Sequence, residues 1–388
     1  MKVILQILIL LLPLMASAQY EGSFKVSGTR LLDANGNNFV MRGANYSWCW
    51  QKGKENSVIP AAKRIGCNTL RIQLGTGRRF SRPSVRELKK LITLCEENHL
   101  IAVFNTHDAT GSNEYSDLEE AARFWVDMKD LLNAHTATTI VNIANEWFGA
   151  SGNSAAWADG YKQAIKIIRD GGIRNTLIID AAGWGQWPQS IFERASEVAS
   201  ADPLQNVVFA IHMYDVAGKN TSTVKKNIDN ALATGYPVII GEFAYRHGGR
   251  YVEWQSILDY TAQTQVGYLV WSWTGNSGGV EDCDMFGSYD DSIYKPNGTN
   301  TVLGRNGIRE TSVECSIYGS SGIRDIRPND TREIDYTQPY QIFDITGRRV
   351  SDMTNPGIYI LRQGSTVKKI LNHKLLKNYR TMRKILVC

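Results

Sequence analysis

Two glutamates in similar surroundings are the residues of this sequence best suited to acid–base and nucleophilic chemistry. Glu146 ends the stretch T-T-I-V-N-I-A-N-E, in which a β-branched run leads to an amide and then a carboxylate, and Glu242 ends the similar run V-I-I-G-E. Such a run predicts a strand buried on both faces, and parallel barrels carry catalytic acids at the carboxyl ends of these strands. If only one of these motifs is considered, the alternative interpretation is a glutamate that merely forms an ion pair with an arginine at the end of a strand. Two such carboxylates in one sheet are the minimum set of groups for hydrolysis of a glycosidic bond.

Further polar and aromatic residues collect at the ends of the other strand-like runs. They are Arg71 in the second run, His107 after the third, Asn145 after the fourth, Trp184 after the fifth, His212 and Tyr214 after the sixth and Trp271 at the end of the eighth. In a parallel barrel these ends lie on one face, where the catalytic residues are found. Asp108, beside His107, is interpreted either as a ligand or as a simple cap.

The elements that must position these residues alternate regularly along the chain. Strand-like apolar runs cover 39–42, 69–74, 100–104, 139–143, 176–180, 207–211, 237–240 and 267–271. Helix-period segments cover 58–65, 84–98, 118–132, 155–169, 190–198, 223–233 and 251–263, and Ser84 with Glu87 forms a capping-box sequence. This order predicts an α/β fold of the (β/α)8 TIM-barrel type rather than an open doubly wound sheet. No GxGxxG follows the first strand, so we predict no dinucleotide cofactor.

The segments before the predicted barrel, and the segment that should close it, have sequence patterns of their own. Residues 1–18 combine one lysine, an apolar run and Ala16-Ser17-Ala18, which predicts a cleaved secretory signal peptide and not a membrane span. Residues 24–37 have the turn chemistry of a hairpin that covers the bottom of the domain. Closure of the barrel is least clear from the sequence, because no final helix stands out in 282–309.

Charge and cysteine usage exclude several classes of function. The formal charge is +5, but residues 373–388 hold five basic and no acidic residues, so the rest of the chain is neutral and nothing favours a nucleic-acid partner. The six cysteines form no cluster with metal-ligand spacing, so we expect no metal site. Cys283 and Cys315 flank a loop-rich region and could form a disulfide, whereas the others read as buried thiols.

Several long motifs resemble glycoside hydrolase family 5. They are R-I-Q-L, N-T-H-D-A-T-G, N-I-A-N-E-W, D-A-A-G-W-G-Q, I-H-M-Y, I-G-E-F and W-S-W-T-G-N-S, spread over about residues 22–280. The similarity is greatest to the bacterial endo-β-1,4-mannanases of that family, which are retaining (β/α)8 enzymes that need no cofactor. The resemblance implies that Glu146 is the acid/base and Glu242 the nucleophile.

The same resemblance, together with side-chain chemistry, implies roles for the other residues. Arg71 and Tyr214 would bind the Glu242 carboxylate, and Asn145 would bind the sugar 2-hydroxyl. The remaining four would line the cleft: His107 and His212 as neutral hydrogen-bonding groups, Trp271 as a sugar platform and Trp184 as a wall. Trp147, Trp187 and Trp273 are interpreted as packing residues.

The C-terminal region predicts a second, smaller domain. Residues 310–336 are rich in Ser, Gly, Asp and Arg and read as a linker, 337–372 give short strands with Gly turns, and 373–388 form a basic tail. The motifs D-I-T-G-R-R-V and P-G-I-Y-I-L-R resemble the sorting domain of type IX secretion. A small sugar-binding β-module is the alternative.

The sequence as a whole therefore predicts an exported hydrolase. Residues 19–309 are the expected catalytic domain, an endo-β-1,4-mannanase that acts with retention on β-mannan or a related plant polysaccharide. An endo-β-1,4-glucanase of the same family and a barrel that binds polysaccharide without cleaving it are the alternatives. The type IX secretion machinery is the expected export partner.

Overall fold

The eight strand-like runs form one closed parallel barrel in this computed structural model, which describes residues 22–319, 334, 337–344, 349–353, 357–363 and 366–372. Each strand pairs with the next one along the chain, and the eighth pairs with the first. The strands are β1 (Arg42–Tyr46), β2 (Thr69–Leu74), β3 (Ile101–Thr106), β4 (Thr139–Asn142), β5 (Leu177–Asp180), β6 (Val207–His212), β7 (Val238–Glu242) and β8 (Gly267–Val270). The predicted TIM barrel is confirmed.

Helices follow the strands and cover the outside of the barrel. They are α1 (Glu55–Arg64), α2 (Val85–Glu97), α3 (Tyr115–Asp127), α4 (Lys129–Asn133), α5 (Ser154–Asp170), α6 (Gln189–Ser200), α7 (Thr221–Leu232) and α8 (Trp254–Thr264). The predicted capping box of Ser84 and Glu87 is present at the start of α2. The single helix predicted over 118–132 is wrong, because the chain breaks at Met128 into α3 and α4. Within the described residues, no helix is both long and apolar enough to span a membrane.

The first barrel strand begins later than predicted, at Arg42 instead of Phe39. The apolar pattern does not mark this strand because it contains buried polar residues, which are tolerated in the protein interior only when they are hydrogen-bonded. The Arg42 guanidinium donates to the carbonyl oxygens of Met41 and Val266, at 2.9 and 2.8 Å. The Asn45 amide donates to the carbonyl oxygen of Gly241 at 3.1 Å, which joins β1 to β7 across the barrel.

A hairpin covers the amino end of the barrel, as the sequence predicted. Its strands, Lys25–Ser27 and Arg30–Leu32, pair antiparallel. Asn206, just before β6, accepts from the Val26 N–H at 3.0 Å and donates to the Phe24 carbonyl oxygen at 3.0 Å. The carboxyl end of the barrel is therefore left for the functional site.

The barrel closes through short segments instead of a final long helix. Between β8 and Thr311 the chain forms only brief helical turns, Glu281–Cys283, Pro296–Gly298, Thr299–Leu303 and Ile308–Thr311. Asn297 anchors them, because its buried amide donates to the carbonyl oxygens of Trp271 and Cys283 at 2.9 and 2.6 Å. These turns are too short to show a helical period, which explains why none was visible in the sequence.

The disulfide between Cys283 and Cys315 does not form. Both are buried thiols outside any disulfide, as are Cys49, Cys67 and Cys95. The Cys283 thiol lies 3.3 Å from the carbonyl oxygen of Arg246, and the Cys315 thiol lies 3.7 Å from a carboxylate oxygen of Asp33.

The chain divides into two compact units, with the boundary between Cys315 and Ser316. The second unit contains a four-stranded antiparallel sheet, as predicted, with a small core of Ile334, Tyr359 and Leu361. Its strands, in spatial order, are Arg349–Val350, Gln341–Asp344, Gly357–Gln363 and Thr366–Asn372. The predicted signal peptide and basic tail, and the predicted linker apart from residues 310–319 and 334, lie outside the described residues.

Candidate active site

The carboxyl ends of the barrel strands surround an open cleft of about 650 Å³, a typical size for a ligand pocket. Seven of the nine predicted site residues line it: His107, Asn145, Glu146, Trp184, Tyr214, Glu242 and Trp271. The other two, Arg71 and His212, are buried beneath it and contact the glutamates directly. The structure thus brings together all nine residues.

The two glutamates face each other in the floor of the cleft. A carboxylate oxygen of Glu146, one of Glu242 and a ring nitrogen of His212 all lie within 4.8 Å of one another. The His212 Nδ1 lies 2.7 Å from Glu146 Oε1 and 3.5 Å from Glu242 Oε2. One sugar ring placed here could contact both carboxyl groups.

Glu242 is held by two donors, one from β2 and one just after the neighbouring strand β6. Arg71 Nη1 donates to its Oε1 at 2.7 Å, and the Tyr214 hydroxyl donates to its Oε2 at 2.8 Å. Burial raises the pKa of the Glu242 carboxyl, and the nearby Glu146 raises it too, whereas Arg71 and the Tyr214 hydrogen bond oppose that rise. The arrangement favours the ionised form of Glu242 over that of Glu146.

Glu146 lies in surroundings that favour its protonated form. Burial, followed by the negative charge of Asp180, raises the pKa of Glu146 to about 8, and Arg71 opposes this only in part. The Glu146 backbone is in the left-handed region, with φ of 47°. One carboxyl group that keeps its proton near neutral pH beside one with two hydrogen-bond donors is a pair suited to acid–base and nucleophilic catalysis.

Arg71 organises the floor of the cleft through its guanidinium group. Besides Glu242, it donates to the side-chain oxygens of Asn45 at 2.7 Å, Asn142 at 2.8 and 3.0 Å, and Asn145 at 2.7 Å. The Asn145 oxygen is thereby occupied within the protein. Its amide nitrogen carries two N–H donors, one of which donates to the Thr110 hydroxyl at 2.9 Å, so a ligand can be bound through the other.

Aromatic rings form the walls of the cleft. Trp271 stacks on His107, with ring centroids 5.7 Å apart and planes 10° from parallel. Trp184 is half exposed on the opposite wall, and a β-carbon added to Gly111 would clash with its ring. Burial lowers the pKa of both His107 and His212, so both rings are neutral hydrogen-bonding groups near pH 7.

Several site residues were missed in the sequence. Trp50 and Phe80 extend the aromatic wall beside His107, with ring centroids 5.2 and 5.9 Å from it, but they lie in loops where no period marks them. The sequence pattern marks Asp180 only as the end of a strand. The signal that could have found it is its place in a run predicted to be buried, where an aspartate is seldom present unless it has partners.

Asp108, which the sequence left as ligand or cap, is a cap. Its carboxylate accepts from the backbone N–H groups of Thr76, Arg79 and Phe80, at 2.8, 2.5 and 3.0 Å. It therefore fixes the loop after β2. The tryptophans interpreted as packing residues behave as expected, because Trp147 and Trp273 are buried and Trp187 packs partly buried against the core.

Glu146, His212 and Glu242 lie close enough together to surround an ion. Arg71 already places a positive charge 2.7 Å from Glu242. The guanidinium therefore supplies the positive charge that a cation would bring, and these three residues are assigned to acid–base chemistry and not to metal binding.

This chain is similar to several known proteins. The sequence profile of Cellulase (glycosyl hydrolase family 5) matches residues 32–277. A mannan endo-1,4-beta-mannosidase of Salipaludibacillus agaradhaerens is 42% identical over 295 residues, which are 76% of this chain and 96% of that protein. The solved beta-mannanase of Thermomonospora fusca is 35% identical, with a TM-score of 0.72 over 76% of this chain and 99% of its own. The beta-mannanase of Streptomyces thermolilacinus, solved with mannohexaose, is 33% identical with the same TM-score, over 76% of this chain and 98% of its own.

Proposed function

This chain belongs to glycosyl hydrolase family 5, and we propose that it is a secreted endo-β-1,4-mannanase that cleaves internal bonds of β-mannan with retention of configuration. The observation that carries the proposal is the pair of carboxyl groups, Glu146 and Glu242, with oxygens within 4.8 Å across the floor of an open cleft. Retaining glycosidases place their two carboxyl groups about 5–5.5 Å apart, whereas inverting enzymes leave a wider gap for water.

In the first step, Glu242 attacks the anomeric carbon while Glu146 gives its proton to the departing glycosidic oxygen. The bond from the anomeric carbon to that oxygen breaks, and an ester bond to the Glu242 carboxylate forms. Arg71 and Tyr214 keep the attacking carboxylate ionised and oriented. Glu146 suits the acid role because its pKa of about 8 leaves it protonated at neutral pH.

In the second step, Glu146 acts as the base. It takes a proton from a water molecule, whose oxygen attacks the anomeric carbon and releases Glu242. Asn145 is proposed to bind the 2-hydroxyl in both transition states, where a polar contact of this kind strengthens. His107 and Trp271, stacked on each other, are proposed to support the sugar at the reacting position.

Mannan is proposed as the substrate because the relatives described above that cover most of this chain are named for mannan cleavage. Cellulose is the competing substrate, since the matching profile carries the cellulase description. Reducing-sugar release from galactomannan and from carboxymethylcellulose separates them, and activity on the cellulose derivative alone would refute the choice of mannan. Binding of either polymer without release of sugar would support the non-catalytic alternative.

The nucleophile is tested by substitution. Glu242→Ala should lower kcat by at least about three orders of magnitude, because it removes the group that forms the covalent intermediate. Glu96→Ala is the matched control, since Glu96 contacts His135 and Thr138 away from the cleft. A 2-fluoro-mannoside should label Glu242, as read by mass spectrometry of peptides. A label on another residue, or a near-normal rate for Glu242→Ala, would overturn the assignment.

Export is proposed from the two ends of the sequence. The signal-peptide pattern of residues 1–18 supports secretion, and the motifs within 337–372 support use of the type IX machinery. Mass spectrometry of protein from the culture medium should find a mature N-terminus at Gln19. Deletion of 337–372 should keep the protein from reaching the medium, and unchanged secretion would refute the sorting role.

A further inference from the structure

Asp180 is a buried carboxylate directly beneath Glu146 to which the proposed mechanism gives no part. It is the last residue of β5 and has no exposed surface. Its Oδ1 accepts from the Asn142 amide at 3.0 Å, and its Oδ2 accepts from the backbone N–H of Glu146 at 3.0 Å. Arg71 Nη2 lies 3.6 Å from the same Oδ2, and this ion pair offsets the cost of burying the carboxylate.

One contact of Asp180 bears on the conformation of Glu146. Residues other than glycine seldom adopt a left-handed backbone, and such residues persist where surrounding contacts hold them. Glu146 has φ of 47°, and the Asp180 carboxylate binds the N–H of that same residue. The hydrogen bond therefore fixes the direction in which the Glu146 side chain leaves the strand end.

A second contact leads to the proton itself. The His212 ring lies between the two acids, with Nδ1 2.7 Å from Glu146 Oε1 and Nε2 3.5 Å from Asp180 Oδ2. Nε2 is buried and has no hydrogen-bond partner in the described part of the chain. A neutral imidazole carries one proton. Carboxylate oxygens of Glu242 and Asp180 lie equally far, 3.5 Å, from Nδ1 and Nε2, respectively, but a protonated Glu146 at 2.7 Å donates to Nδ1, so the ring proton is on Nε2 and faces Asp180. Nδ1 is then an acceptor and faces the carboxyl group that must keep its proton.

We propose that Asp180 is a positioning residue for Glu146, which fixes its backbone and, through the His212 ring, keeps the catalytic proton on the Glu146 carboxyl. The proposal rests on the assignment of Glu146 as the acid in the proposed function. Asp180 touches no substrate and acts only through its neighbours. The other charged or titratable groups that face Glu146 are Arg71 from β2, Tyr214 after β6 and Glu242 from β7.

Asp180→Asn tests the proposal because it removes the charge at nearly constant size. The alkaline limb of the kcat/KM profile reports loss of the proton from the acid, so it should move to lower pH by about one unit. On mannan the rate at the wild-type optimum should fall about tenfold or more, because the Glu146 backbone is held less well and the acid no longer reaches the leaving oxygen in the right geometry. On a dinitrophenyl β-mannobioside, whose leaving group needs no proton, it should change less than about threefold.

Asp202→Asn is the matched control. Asp202 is equally buried and paired with Arg169 at 2.8 Å, but it precedes β6 at the amino end of the barrel. It should leave the pH profile and the ratio of the two substrates unchanged. If Asp180→Asn lowers both rates by the same factor at every pH, its role is structural and the proposal is refuted.

A measurement on the wild-type protein covers the case in which Asp180→Asn does not fold. The ¹⁵N shifts of labelled His212 at pH 6 should show a protonated Nε2 and an unprotonated Nδ1. The opposite tautomer would overturn the proposal. This result does not depend on the substrate, so a wild-type protein that cleaves neither mannan nor cellulose would refute the proposed function separately.

Discussion

The hydrogen bond from Tyr214 to Glu242 offers a direct measure of how the nucleophile is kept ionised. Tyr214→Phe removes the hydroxyl and leaves the buried ring. The lost contact is a 2.8 Å bond to a buried carboxylate, and the other donor to that carboxylate, Arg71, is unaffected. The variant therefore isolates one donor without emptying the site.

The expected size of the effect follows from the strength of this bond. A hydrogen bond to a charged group contributes about 1.5–3 kcal/mol, and one pKa unit corresponds to about 1.4 kcal/mol. Without the Tyr214 donor, the pKa of Glu242 should rise by about 1–2 units. Glu242 must be ionised to attack, so activity disappears as the pH falls through its pKa. The acid limb of the kcat/KM profile should move to higher pH by the same amount.

The assay is the pH dependence of kcat/KM on a soluble manno-oligosaccharide, from pH 3 to pH 10. The acid limb moves towards the alkaline limb, which reports Glu146, so the pH range over which the enzyme is active should become narrower. The two limbs give apparent pKa values of the coupled pair of carboxyl groups. Tyr268→Phe is the matched control, a buried tyrosine on β8 whose hydroxyl lies 3.3 Å from the carbonyl oxygen of Asn306. An unmoved acid limb in Tyr214→Phe, or an equal shift in the control, would refute the assigned role of the Tyr214 hydroxyl.

Three further outcomes follow from the same structure. Glu146→Gln should raise the melting temperature relative to wild type, and this increase should be about 5 °C larger at pH 8 than at pH 6. The folded wild type holds the Glu146 proton up to a pKa of about 8, whereas the unfolded chain has already lost it, so wild-type stability falls as the pH rises between these values. Scanning calorimetry at the two pH values tests this. Gly160→Ala should lower the free energy of unfolding in urea by about 1–3 kcal/mol, because its β-carbon would meet the Trp147 ring at 2.1 Å; equal or higher stability would refute that close contact. A chain that ends at Gly319 should keep full kcat on mannan, because the barrel unit ends at Cys315, and failure to fold would contradict that boundary.

Local sequence signals were enough for most of the fold. The strand Thr69–Leu74 is found at its predicted bounds, and the capping box at Ser84 starts its helix, because an apolar run or a cap is a property of neighbouring residues. The predicted start of the first strand was too early because Arg42 and Asn45 look like surface residues in the sequence. In the structure they bind carbonyl oxygens just before β8 and on β7. No local pattern records such partners.

The same distinction applies to the site. Glu146 and Glu242 were found because each stands at the end of a recognisable strand, and a barrel brings those ends together. Asp180 was not found, since its partners Asn142, Glu146 and His212 lie on β4, just beyond it and on β6, and only the closed sheet joins them. The aromatic residue Trp50 was missed for a related reason, because its loop is placed by contacts and not by a repeating pattern.

The cap made by Asp108 has a consequence for how this enzyme could acquire new preferences. The carboxylate binds main-chain N–H groups of the loop after β2, so the loop keeps its course whatever side chains it carries. Arg78 and Arg79 are exposed on that loop, and Arg79 borders the cleft. Arg78 forms an ion pair with Asp117 of α3, so Arg79 is the position at which new side chains can be placed beside a bound polymer with least effect on the barrel. A library randomised at Arg79 is accordingly a favourable starting point for directed evolution of branch tolerance.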